Sequence, residues 1–358
     1  AVRRYDRPLT VELWYPAAPG TPPGTAYATM LRDGYRAITL HGRACRDAAQ
    51  AEGDFPLVIL SHGYPGNRML MSHLGETLAS QGYVVASVDH TDSTYADKGP
   101  LASTLVNRPL DTAFVKAALA DRADTTRFAI IGYSMGGYGA INTVGGCFNF
   151  TEQSVQAFTG SKDQATNAAL KQLLNSCAGG QYPKTAAELK VDSAWKAAIA
   201  IAPWGGQHKL FSADSLAAIK VPMLYLAGDQ DDVSGYEGMQ WLYNQTGRQD
   251  SNSKYMLTYH NARHNIAPHP APAIARQNKL DFAHYHDASW SAQSINNINK
   301  HFALAMLDCH VKAVASQCRY LQLPASPTRK DAAGKELGFT GFAPRYATGL
   351  LWQQGSGR

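Results

Sequence analysis

The sequence is short of cysteine, of charge and of long apolar runs, and each shortage removes a class of protein. Its five cysteines (Cys45, Cys147, Cys177, Cys309 and Cys318) contain no CxxC pair. Zinc-ribbon and thioredoxin chemistry therefore have no support. Charged residues make up 17% of the chain and hydrophobic residues 45%, which fits a sizeable core and excludes disorder over most of the length. The net charge of +5 comes from 33 basic and 28 acidic residues without a concentrated Lys/Arg run, so nucleic acid is not an expected partner. Apolar stretches such as LVIL and AAIAIA have the length of strands and fall well short of a bilayer span. The chain opens on Ala1, with no leader of its own, and loss of a secretory leader by processing is expected. A secreted or periplasmic location follows, the cytoplasm being the alternative.

What is present is an alternation. RPLTVELWYP reads as an outer strand and is followed by a loop rich in Pro and Gly. Strand-like runs then recur at 56–62, 83–90, 127–134, 194–204, 220–229 and 253–260, with helical or loop material between them. Gly82 marks a helix stop, and RPLDTAFVKAALAD (108–121) is a predicted helix with Pro109 in its first turn. Continuous apolar runs alternating with helices predict an α/β fold, a mostly parallel central sheet flanked by helices. Residues 145–193 interrupt the pattern with a polar stretch. They are expected to form a lid inserted into a single domain spanning residues 1–358. Cys147 and Cys177 bracket this insertion, while Cys309 and Cys318 fall in a predicted helix and the turn after it. Two disulfides with Cys45 left over would suit an oxidising compartment; five reduced, buried thiols are the other reading.

Residues 132–136, GYSMG, form a G-x-S-x-G motif between a predicted strand and a predicted helix of small residues. A nucleophile elbow needs small neighbours, because its serine sits in a strained turn at the edge of the sheet. A glycine turn with a capping serine is the plainer alternative. A serine nucleophile needs a base, and the base needs an orienting carboxylate; in this architecture both follow the serine, acid first. The strand PMLYLAG ends in DQDD, offering Asp229, Asp231 and Asp232. Asp231 is the expected acid, with the other two as alternatives. YHNARHN supplies His260 and His264, and His264, in the loop past the strand, is the expected base. The i,i+4 histidine spacing lacks the H-E-x-x-H pattern of a zinc protease helix, and no metal is expected. HYHD (284–287) reads as surface or lid-facing histidines. Backbone donors for a developing oxyanion are expected from Met135, the residue after the serine, and from Tyr64 in SHGYPGN.

With these residues placed, the chain resembles the α/β-hydrolases, and more narrowly the platelet-activating factor acetylhydrolase and dienelactone hydrolase-like branch. ELWYPA, FPLVILSHGYPGNR, YVVASVDHTDS, RPLD, GYSMGGYGA and NARHN carry the resemblance, and SINNINKHFALAMLD extends it. Dienelactone hydrolases proper use a cysteine nucleophile, whereas position 134 is serine here. The resemblance implies a carboxylic ester hydrolase without cofactor or metal. Ser134 would attack, His264 would act as base and then acid, and Asp231 would hold the imidazolium. Small-molecule or oligomeric esters are the implied substrates, with Trp204 and Tyr64 as walls; core packing is the other reading of Trp204. Rival expectations are hydrolysis of polyester fragments or β-diketones by the same triad, and a non-catalytic binding protein of the same fold.

Overall fold

The computed structural model describes residues 6–177, 191–247 and 253–356. Its strands are β1 (Thr10–Trp14), β2 (Thr25–Met30), β3 (Ala37–Gly42), β4 (Pro56–Ser61), β5 (Val84–Asp89), β6 (Asp124–Tyr133), β7 (Trp195–Ile201), β8 (Met223–Gly228), β9 (Ser253–Tyr259) and β10 (Leu350–Ser356). Its helices are α1 (Ser72–Ser80), α2 (Leu101–Ala118), α3 (Met135–Thr143), α4 (Glu152–Thr159), α5 (Gln164–Leu174), α6 (Ala213–Ala217), α7 (Tyr236–Gln245), α8 (Lys279–His284), α9 (Ala292–His310) and α10 (Pro344–Ala347).

The eight-stranded sheet runs β1-β5-β4-β6-β7-β8-β9-β10. All contacts from β5 through β9 are parallel, and an antiparallel strand closes each edge. This is the mostly parallel sheet that the apolar runs predict. Every residue of β4 and β8 is buried, because helices cover both faces and leave no place for alternating polar residues. Four strands, β4, β6, β8 and β9, deliver loops to the same carboxyl edge of this sheet, the edge where parallel sheets collect their functional groups.

Two elements depart from the sequence reading. The Pro/Gly-rich loop contains an antiparallel hairpin, β2–β3, whose strands are half exposed and carry little apolar signal. The helix predicted over 108–121 is α2, which begins seven residues earlier, so Pro109 lies in its interior and not in its first turn. An interior proline leaves the carbonyl four residues back without its N–H. Here that carbonyl belongs to Leu105, and the Tyr138 hydroxyl donates to it. The helix therefore continues through Pro109 because α3 supplies the missing donor.

Disulfides join Cys147 to Cys177 and Cys309 to Cys318, and Cys45 is a free, half-buried thiol. The first clasps the two ends of the stretch that holds α4 and α5; residues 178–190 of the insertion lie outside the described residues. Among the described residues no helix is long and apolar enough to cross a membrane.

Candidate active site

Ser134 caps α3 directly after β6, with φ 54° and ψ −112°. Such a backbone is costly for a residue with a side chain and persists only where its surroundings hold it. Here Ser134 N–H donates to Ile201 O at 2.8 Å, and Ser134 O accepts from Trp204 N–H and Tyr138 N–H, each at 3.1 Å. Three glycines make the turn possible by what a Cβ would meet. At Gly132 it would strike the Gly136 carbonyl, at Gly136 the Ser61 carbonyl, and at Gly137 the backbone of Pro203. The motif's small residues are thus explained by close approach of backbone from β6, β4 and the loop after β7.

The hydroxyl so presented meets an imidazole. His264 Nε2 lies 3.0 Å from Ser134 Oγ, and His264 Nδ1 lies 2.9 Å from Asp231 Oδ2. A carboxylate can only accept, so Nδ1 carries a proton and Nε2 is free to accept from the serine hydroxyl. All three side chains are buried. Asp231 Oδ1 accepts from the N–H groups of Val233 at 2.8 Å and Ser234 at 2.7 Å. Burial alone would push the Asp231 carboxyl up. The hydrogen bond and charge of His264, with those two N–H groups, outweigh burial and hold it below the usual carboxylate value.

The alternative acids and base are engaged elsewhere. Asp229 accepts from His260 Nδ1 at 2.7 Å and from Asn261 N–H at 2.6 Å. Asp232 pairs with Arg263 at 2.9 Å on the surface. In HYHD, His286 is exposed, but His284 is half-buried and bonds the Tyr95 hydroxyl at 2.8 Å. Asp287 caps the backbone of Arg263, Ser289 and Trp290. Among the described residues no group of three or more His, Cys, Asp and Glu side chains is arranged to hold a metal.

The two expected oxyanion donors lie beside the serine. Met135 is the first residue of α3, so its N–H belongs to the helix-start groups that have no acceptor within the helix. Tyr64 follows Gly63, whose missing Cβ would touch the Tyr133 ring at 3.1 Å and Ser134 Cβ at 3.4 Å. The loop after β4 therefore lies against the nucleophile turn. Tyr64 is tied down by its hydroxyl, which donates to Gly99 O at 2.9 Å. Trp204 is half-buried, its ring 6.4 Å from Tyr138 and 5.7 Å from His208, and its N–H is bonded to Ser134 itself.

Sequence reasoning did not find the polar layer beneath this loop. Ser61 Oγ lies 2.9 Å from His90 Nε2, and His90 Nδ1 lies 3.0 Å from Asp111 Oδ2. All three residues are buried, so this second Ser–His–Asp chain is an internal brace tying β4, β5 and α2 together. Ser61 of SHG, His90 of VDH and Asp111 of RPLD were its traces in the sequence, in three separate segments.

Residues 41–149 match a family model described as PET hydrolase-like. Cutinase est2 of Thermobifida alba is 35% identical over 86 residues, which are 24% of this chain and 28% of that protein. A bis(hydroxyethyl) terephthalate hydrolase of Streptomyces coelicolor is 30% identical over 91 residues, 25% of this chain and 29% of that protein. The matches thus span less than a third of these curated relatives' length. A solved structure of a ferulic acid esterase from Streptomyces cinnamoneus superposes with a TM-score of 0.56 at 21% identity, covering 92% of this chain and 87% of that one. The chain thus has the α/β-hydrolase fold, and over residues 41–149 its sequence is similar to the PET hydrolase-like proteins and cutinases.

Proposed function

We propose that the chain is a serine carboxylic ester hydrolase. The observation that carries the reading is the unbroken hydrogen-bonded chain from Ser134 Oγ through His264 to Asp231, at 3.0 Å and 2.9 Å. In this reading His264 Nε2 takes the hydroxyl proton as Ser134 attacks the ester carbonyl. The negative oxygen of the tetrahedral intermediate is met by the N–H groups of Met135 and Tyr64. His264 then protonates the departing alcohol, and water hydrolyses the acyl-enzyme by the same steps in reverse. Asp231 remains a carboxylate throughout and balances the imidazolium.

Trp204 and Tyr64 form the walls for the acyl or alcohol group. Residues 145–193 act as a lid within the single domain. Phe148 at the base of that segment stacks on Tyr138 of the nucleophile helix at 4.8 Å between ring centres, which supports this role. Two disulfides support a secreted or periplasmic location. No cofactor or metal takes part in the reaction.

The similarity over residues 41–149 to PET hydrolase-like proteins favours one extension, action on fragments of aromatic polyesters. The deciding experiment is a panel of p-nitrophenyl esters of rising acyl length, bis(hydroxyethyl) terephthalate, short polyester oligomers and a β-diketone, run with wild type and Ser134→Ala. Turnover of esters by wild type alone supports the reading, and turnover of the oligomers supports the extension. Cleavage of the diketone alone would replace ester hydrolysis by carbon–carbon hydrolysis. Absence of any turnover would favour a binding protein.

A further inference from the structure

Arg108 is wholly buried beneath the loop after β4. A buried guanidinium is expensive and is normally offset by a carboxylate in direct contact. The contacts of Arg108 among the described residues are instead to uncharged groups. Nη2 and Nε donate to Ser93 Oγ at 2.6 Å and 3.2 Å, Nη1 donates to His62 O, and Nη2 donates to Gly63 O at 3.0 Å. The same Gly63 carbonyl receives a second donor. His62 Nε2 accepts from His90 N–H at 3.4 Å, which assigns the ring proton to Nδ1, and Nδ1 donates to Gly63 O at 2.7 Å. Desolvation, with Arg108 beside it, pushes the His62 pKa well down and keeps the ring neutral.

Gly63 C=O and Tyr64 N–H are the two ends of one peptide unit. That unit is planar and trans, so fixing the direction of the oxygen fixes the direction of the hydrogen. Two donors on the oxygen, one of them charged, also polarise the amide and strengthen its N–H as a donor. We propose that Arg108 is a positioning residue of the oxyanion hole: with His62 it grips the Gly63 carbonyl and thereby aims and strengthens the Tyr64 N–H. This rests on the serine hydrolase reading above. Asp111 attracts the guanidinium without a direct hydrogen bond to it, so the donors of Arg108 are left to grip the loop carbonyls, one peptide unit from the negative oxygen that forms during the reaction.

The test compares wild type, Ser134→Ala, Arg108→Gln, Arg108→Lys and Ser93→Ala on p-nitrophenyl butyrate. Competent sites are counted by end-point titration with an organophosphonate, and a trifluoromethyl ketone serves as the oxyanion mimic. In Arg108→Gln, kcat per competent site should fall about ten- to a hundredfold while KM stays within about twofold, since the contact matters only once charge develops. The inhibition constant of the ketone should rise by the same factor. Arg108→Lys, which keeps the charge but not the fork, should fall between wild type and Arg108→Gln. A merely structural role would lower the number of competent sites and leave kcat per site and the ketone unchanged, and that result overturns the proposal. Where the Arg108 variants do not fold, Ser93→Ala carries the test, because it removes only the hydroxyl that anchors the guanidinium. A drop in kcat per site there supports the proposal, and an unchanged value overturns it. A Ser134→Ala protein as active as wild type would overturn the serine hydrolase reading itself, and the proposal with it.

Discussion

His260 pairs with Asp229 at 2.7 Å, while His264, four residues on, pairs with Asp231 at 2.9 Å. The two His–Asp pairs leave the ends of the same two strands but differ in burial. The His260 side chain is 57% exposed and that of His264 is 9% exposed, with Ser134 Oγ on its other nitrogen. His264→Ala should therefore lower kcat/KM for an ester by at least about 10⁴, the scale seen when a triad base is removed. His260→Ala should stay within about fivefold, because a hydrogen-bonded pair with an exposed histidine carries at most ~1 kcal/mol. The reverse ranking in a p-nitrophenyl butyrate assay would assign the base to His260.

Asp231→Asn asks a narrower question. The carboxylate is held ionised by His264 and by the N–H groups of Val233 and Ser234 against the pull of burial. An amide at this position can present an N–H to His264 Nδ1 and so favour the wrong tautomer. A fall in kcat of about 10⁴ with little change in thermal midpoint is expected. A variant retaining a tenth of wild-type activity would show that the imidazole does not depend on this carboxylate.

The parts of this arrangement that the sequence made legible are those with short-range signatures. LVIL in β4 and IAI in β7 are buried on both faces, so their apolar runs announce a parallel sheet directly. GYSMG sits at a strand–helix junction, where its glycines have a local steric cause. The hairpin β2–β3 and the edge strand β10 lack such a signature. Of residues 350–355 in β10 only Leu350 and Trp352 are buried, and the strand forms because β9 offers an open edge. Arg108 was legible only as part of RPLD. Its partners Gly63 and Ser93 lie 45 and 15 residues away in sequence, and no local pattern predicts a buried arginine bonded to carbonyls.

Gly136 and Gly139 lie three residues apart at the start of α3 but face different surroundings. A Cβ at Gly136 would overlap the carbonyls of Ser61 and His62, whereas at Gly139 it would meet only Arg108 Cβ at 4.0 Å. Gly136→Ala should destabilise the fold by about 1–3 kcal/mol or more and abolish activity, because it displaces the loop that carries Tyr64. Gly139→Ala should be neutral or stabilise by ~0.5–1 kcal/mol, as expected for alanine replacing a helical glycine. Urea midpoints and ester turnover of the two variants check this contrast, and similar losses in both would contradict it.

Asp111 introduces a pH dependence of stability. Burial raises its carboxyl from the ordinary 3.8 to about 6, although Arg7 and Arg108 pull it down; Asp92 adds to the rise. His90 faces it as a neutral ring at 3.0 Å. The folded protein therefore binds this proton more tightly than the unfolded chain. The associated stability is fully present below pH 3.8 and is lost as pH rises through about 6. Asp111→Asn cannot lose it. Between pH 4 and 7 wild type should lose roughly 2–3 kcal/mol relative to Asp111→Asn, at 1.36 kcal/mol per pKa unit. Urea midpoints of both proteins across that range measure the difference, and a constant gap would contradict the assignment.

The two disulfides should differ in what they contribute. Cys147–Cys177 closes a separation of 30 residues and Cys309–Cys318 one of 9. If each acts mainly by restricting the unfolded chain, the longer loop stabilises by roughly 3–4 kcal/mol and the shorter by roughly 2–3 kcal/mol. The longer bridge also clasps α4 and α5 beside Phe148, which stacks on Tyr138 of the nucleophile helix. The Cys147→Ser, Cys177→Ser pair should therefore lose more stability than the Cys309→Ser, Cys318→Ser pair. It should also lose ester turnover at temperatures where the protein remains folded, because the helix holding Ser134 loses its backing. Urea midpoints and turnover at 25 °C of the two double variants decide it. A larger loss from the shorter bridge would show that the C-terminal clasp on α9 controls the fold.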